Sequence, residues 1–143
     1  MKKLLPVVIA ALMIPSVALA KAPSPKSHTN HGKAKVQYVL RGALSTFSAF
    51  DSSTNTNGSI TIAVTSANRH GKALKGQTLT FTGMVGSSTK VVLENGVTVV
   101  TDGDSGIVKI RAPKEPKDIS STDLTTLLTA LPVRQVIDQG ATS

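Results

Sequence analysis

The sequence predicts a mainly β protein: a small antiparallel β-barrel with one C-terminal helix. Three observations carry that fold class. Short runs alternate apolar and polar side chains with period two, glycine-rich and asparagine-rich clusters separate those runs, and one late segment places leucines at i, i+3, i+4 and i+7. The chain has no cysteine, so no disulfide framework, thiol nucleophile, zinc-thiolate site or lipid-acceptor cysteine is available, and the core alone must hold the fold.

Residues 1–20 form a targeting pattern. Lys2 and Lys3 precede a mostly apolar run over residues 4–14, and Ala18-Leu19-Ala20 is a small-x-small cleavage site. They read as a cleavable signal peptide cut after Ala20, giving a secreted or extracytoplasmic chain. The apolar run is shorter than the ~20 residues of a membrane span, and no transmembrane span is expected in the mature chain. Removing 20 of 143 residues leaves 123, enough for one domain. The formal charge of +8 falls to +6 without Lys2 and Lys3.

Residues 21–35, KAPSPKSHTNHGKAK, combine Pro23 and Pro25 with lysines and polar residues and show no apolar periodicity. They are expected to be a disordered basic linker. His28 and His31 lie there, and two imidazoles on such a peptide make a poor metal site.

The barrel is assigned to residues 36–114. Val36, Tyr38, Leu40 and Leu44 share one parity, with Gln37, Arg41 and Ser45 on the other. Phe47 breaks that parity after Gly42, which predicts a bulge or bend, and a long bent first strand lets a small sheet curl. Residues 51–58 read as a loop ending in the Asn57-Gly58 turn pair. The next strand turns Ile60, Ile62 and Val64 inward. Residues 67–76, ANRHGKALKG, form a glycine-bounded loop that gathers Arg69, His70, Lys72 and Lys75, the densest basic cluster of the barrel.

Leu79 and Phe81 point inward from a strand of alternating threonines. Asn95-Gly96 between apolar residues 89–94 and 97–101 predicts a two-residue hairpin, because both turn residues must take positive φ. Asp102-Gly103 and Ser105-Gly106 supply turn chemistry. Val108 and Ile110 then face in, with Lys109 and Arg111 facing out, until Pro113 ends a strand expected to close the barrel.

Residues 115–143 are assigned to a C-terminal helix and short tail packing on the barrel. Leu124, Leu127, Leu128 and Leu131 make the apolar stripe. Ser120 with Asp123 is a weakened capping box, and Thr125, Thr126 and Thr129 lower the intrinsic propensity, so the helix depends on packing. Val133–Asp138 is a candidate last strand, with Val133 and Gln135 on one face and Arg134, Val136 and Asp138 on the other.

Residues 38–114 resemble the small secreted bacterial β-barrel domains of the DUF5666 type, which are related in shape to OB-like barrels. Leu40-x-Gly42, the run 58–62 (GSITI), the run 89–92 (TKVV), and Asp102-Gly103 before Val108-x-Ile110 carry the likeness. The whole mature chain is similar to exported actinobacterial proteins with a leucine-bearing segment and a VIDQG-like ending. The resemblance implies a fold and supplies no catalytic residues.

No catalytic constellation stands out. His70 is the one histidine of the barrel, its acid partner would have to be as distant as Asp51, and no G-x-S-x-G elbow surrounds any serine. Asp102-x-Asp104 with Glu94 could offer oxygens to calcium, but position 113 is a proline where an EF-hand loop needs glutamate. Asp102 and Asp104 could also pair for glycoside chemistry, but with four acids in the barrel that pairing is uninformative. Of the four aromatics, Tyr38, Phe47, Phe50 and Phe81, two, Tyr38 and Phe81, fall on the inward parity and are spent on the core, which weakens a reading as a single-stranded nucleic-acid binder, and export weakens it further. The expectation is therefore a noncatalytic binding or structural module of the cell envelope or exterior, with no cofactor and no metal. Arg69, His70, Lys72 and Lys75 are its candidate contacts to an anionic cell-wall polymer or another exported protein. The alternative is a small secreted hydrolase or metal-dependent enzyme using His70, Asp102 or Asp104.

Overall fold

In the computed structural model residues 34–141 are described. The assigned signal peptide and the linker up to residue 33, including His28 and His31, lie outside the described residues, as do the last two positions. The mainly β reading with one helix in the C-terminal part holds: six strands make one mixed, curled half-barrel sheet.

The first strand, β1 (Lys35–Ser48), begins on the last residue assigned to the linker. It buries Tyr38, Leu40 and Leu44 as their shared parity requires. Its bend is real and has two sources. β2 (Gly58–Ala67) pairs antiparallel to it with register shifts between Arg41 and Gly42 and between Ser45 and Ser48. At the second shift β1 carries one extra residue, Thr46 adopts φ 48, and Phe47 lands on the parity opposite to Leu44. Gly42 is where the strands crowd closest, since a Cβ there would strike the Ala63 carbonyl oxygen. The link between β1 and β2 turns earlier than expected. Asp51 and Thr56 bridge, Asn55 takes φ 54, and Gly58 is already the first residue of β2, so Asn57-Gly58 is not the turn.

β3 (Thr78–Val85) pairs antiparallel to β2, and β5 (Ser105–Pro113) pairs antiparallel to β1 from Lys35↔Pro113 to Ala43↔Ser105. The sheet order is β3-β2-β1-β5-β6-β4, where β4 is Lys90–Leu93 and β6 is Val133–Asp138. β5 is consequently central, not the closing strand, and Val108 and Ile110 are fully buried there.

The expected hairpin does not form. Asn95 (φ 53) and Gly96 (φ 81) make their tight turn, closed by the Val97 N–H donating to the Glu94 carbonyl at 3.0 Å. Residues 97–101 nevertheless build no strand, and Val99 is 62 % exposed. β4 pairs instead with β6, in parallel, from Lys90↔Gln135 to Leu93↔Asp138. One pair of the sheet is therefore not antiparallel.

β6 confirms the candidate last strand and explains its irregular alternation. Lys109 pairs with Gln135 and Ile110 with Val133, leaving Arg134 as an extra residue. That bulge lets Val133 and Val136 both reach the core despite their opposite parity. Among the described residues β3 and β4 are the two edge strands of the sheet. The helix α1 (Ser121–Thr129) packs beside β3, with Leu124 and Leu128 completely buried in the same core cluster as Phe81, Val85 and Val133. Its N-cap is Ser120, whose Oγ accepts from the Asp123 N–H at 3.0 Å.

Candidate functional site

The predicted basic loop is a short 3-10 helix, Arg69–Leu74. Asn68 builds it. Its Oδ1 accepts from the Gly71 and Val39 N–H groups, each at 3.3 Å, while its Nδ2 donates to the Gln37 carbonyl at 2.7 Å. One amide side chain thus caps the helix and ties it to β1. Gly71 and Leu74 turn inward, and a Cβ on Gly71 would sit 3.2 Å from Leu40. Burying that side leaves Arg69, Lys72 and Ala73 exposed.

The opposite wall is the connection from β5 to α1. Lys114 N–H donates to the Ala34 carbonyl at 2.8 Å, and the Tyr38 hydroxyl donates to the Pro113 carbonyl at 3.0 Å. The Glu115 N–H in turn donates to that hydroxyl at 3.4 Å. Tyr38 is therefore a core residue whose polar tip fixes the cleft wall. Its ring also meets His70, with centroids 6.0 Å apart and planes tilted by 60°.

Between the two walls lies a cleft of about 570 Å³. Arg69, His70 and Lys72 line one side, and Lys114, Glu115, Lys117 and Ile119 line the other. Three of the four predicted binding residues are brought together. Lys75, the C-cap of the 3-10 helix, is exposed and lies outside the lining. Lys114 and Lys117 escaped sequence reasoning. They sit in a proline-flanked linker 40 or more residues from Arg69 in sequence, and only the pairing of β1 with β5 carries them to the 3-10 helix.

His70 apart, the residues considered for chemistry fall outside the cleft. Asp51 lies in the loop after β1 and His70 follows β2, so the ten-residue β2, about 30 Å long, separates them. Ser53 Oγ and N–H donate to Asp51 at 2.6 and 2.9 Å and hold its carboxyl below the ordinary 3.8. Asp102 Oδ1 accepts from the Thr46 N–H at 2.8 Å, so that carboxylate fastens the β1 bulge. Asp104 is 9 % exposed and points to Asp138 rather than to Asp102. Burial first, then the Asp138 carboxylate, push Asp104 above 3.8. Asp138 is fully buried, and its carboxylate accepts from Gly140 N–H at 2.8 Å and Thr101 N–H at 3.1 Å. Among the described residues no three His, Asp or Glu side chains are grouped to hold a metal ion, and no helix is long and apolar enough to cross a membrane.

Charge is thus polarised along the strands. Glu94, Asp102, Asp104 and Asp138 collect where β4 and β6 end and β5 begins. Lys90, Arg134, Arg111 and the cleft lysines collect at the other end. No family model, curated protein or solved structure matches this chain.

Proposed function

We propose that this chain is a noncatalytic, exported binding module that takes an anionic group of an envelope or extracellular partner in the cleft between the 3-10 helix and the β5–α1 connection. The observation that carries this reading is the cleft itself. Four cationic side chains, Arg69, Lys72, Lys114 and Lys117, line it against a single carboxylate, Glu115. A concave site focuses such a field, because low-dielectric walls limit screening by solvent. Asn68 and Tyr38 hold the two walls in register before any ligand arrives, which lowers the ordering cost of binding. The signal pattern of residues 1–20 and the likeness to DUF5666-type secreted barrels support action outside the cytoplasm.

Tripolyphosphate titrated into the full chain, followed by calorimetry at low and moderate salt, tests the reading. Binding is expected at low salt and is expected to weaken as the Debye length shrinks toward ~8 Å. Lys72→Glu and Lys117→Glu should each lower affinity about tenfold, the scale of one charge-assisted contact. Equal affinity in both variants and the parent would remove the cleft from the account.

A further inference from the structure

We infer that the partner is a linear, base-free phosphate polymer that leaves the cleft over the rim of the half-barrel and continues along the outer face of the sheet. This rests on the cleft reading above and extends it from a single anionic group to a chain of them. The register of the sheet places the additional cations. Lys109 alternates with the buried Val108 and Ile110, so it points to the outer face. Gln135 pairs with Lys109, and Lys90 pairs with Gln135, so all three share that face. Arg111 lies two residues further along β5, and Lys35, paired with Pro113, stands beside it at the strand end.

These positions connect with the cleft. Pro113 is followed by Lys114, which lines the cleft and bonds through its N–H to Ala34, the residue before Lys35. Lys35, Arg111 and Lys114 therefore form one rim, with the cleft on its inner side and Lys109 and Lys90 on its outer side. Neighbouring cations along this track are about 7 Å apart along a strand and about 10 Å apart across two strands. That backbone spacing suits an anion repeated along a polymer. Lysine predominates on the track, and its compact ammonium serves a phosphate as a point charge. The acids Asp104 and Asp138 lie buried at the far end, so no described carboxylate shares the Lys90, Gln135 and Lys109 row.

The track itself carries no tyrosine or phenylalanine on which a base could stack: Tyr38 is 1 % and Phe81 0 % exposed, and the half-buried Phe47 and Phe50 lie at and just beyond the end of β1 that faces the start of β5, away from Lys35, Arg111 and Lys114.

The test compares tripolyphosphate with long-chain polyphosphate on the full chain and its Lys109→Glu/Arg111→Glu variant, with Lys109→Gln/Arg111→Gln as a milder second version and circular dichroism to verify folding. The parent should bind the long chain at least tenfold more tightly than tripolyphosphate at equal phosphate concentration, as linked contacts raise effective concentration. Both double variants should lose that length-dependent gain and keep the parent affinity for tripolyphosphate. Equal affinity of the parent for short and long chains, or a gain that survives in the variants, would overturn the track and leave the cleft reading standing. Tripolyphosphate binding that survives Lys72→Glu and Lys117→Glu would overturn both. Tighter binding of a single-stranded oligonucleotide than of polyphosphate of the same charge would overturn the base-free assignment.

Discussion

Gly106 is the most informative position for the packing. Its missing Cβ is occupied in effect by Leu44: a Cβ at 106 would lie 2.6 Å from Leu44 Cγ and 2.6 Å from the Ile137 carbonyl oxygen. Gly106→Ala therefore has to move a fully buried leucine and spread the β5–β6 ladder together. Overpacking of this kind costs about 1 to 3 kcal/mol, and the backbone contact puts this case at about 3 kcal/mol. In a domain of this size that is a fall in Tm of about 12 °C, at about 4 °C per kcal/mol. Leu44→Ala alone removes a buried side chain and costs about 3 kcal/mol. Combined, the two should cost about 4 kcal/mol rather than about 6, because the alanine at 44 vacates the space that the new Cβ needs. Urea unfolding of the parent, both single variants and the double variant reads this cycle through the midpoint at constant m-value. A Gly106→Ala variant within about 0.5 kcal/mol of the parent, the range of an ordinary surface change, would refute the packing argument. Strict additivity would refute the role of Leu44 and leave the Ile137 carbonyl as the whole obstacle.

Two further outcomes are expected. Asp104 has a folded-state pKa raised above its unfolded value, so its stabilising protonated form is fully present below 3.8 and is lost as pH rises through the folded value. Asp104→Asn should accordingly melt at a higher temperature than the parent at pH 7, and the difference should shrink as pH falls toward 3.8; a difference constant with pH would contradict the coupling to Asp138. Asn68→Ala removes the side-chain bonds to Val39, Gly71 and Gln37. It should cost about 2 kcal/mol and weaken tripolyphosphate binding by loosening the cleft wall, whereas unchanged melting and unchanged affinity would show that the 3-10 helix stands without its cap.

How much was legible follows from where each kind of information resides. Alternation in β1, β2, β3 and β5 announces which side chains face in, and Tyr38, Leu40, Ile60, Ile62, Phe81 and Ile110 are buried as that pattern demands. The leucine stripe with Ser120 ahead of it announces α1 and its cap. The basic cluster Arg69, His70 and Lys72 was visible as composition, and half of the cleft with it. Lys114 and Lys117 were not, because nothing in a proline-flanked linker says which loop it will face. Asp138 shares a parity with Arg134 and Val136, and that imperfect alternation does not say which way it faces; the pairing of β6 with β5 and β4 makes it a buried anchor for Thr101 and Gly140.

The Asn95-Gly96 turn marks the boundary between the two sources of order. Its positive φ values are a local property of those two residues, and the turn forms as the sequence requires. Which strand then pairs with β4 is a competition among distant segments, and β6 wins it by supplying a continuous ladder from Lys90↔Gln135 to Leu93↔Asp138. By itself the sequence determined the type and facing of β1, β2, β3, β5 and α1 and the conformation of the Asn95-Gly96 turn, because these depend on side chains within a few residues of one another. Strand partners, the central position of β5 and the joining of two basic segments into one cleft were decided by tertiary structure, because a strand offers the same hydrogen-bonding groups to any partner and only the packing of the whole chain selects among them.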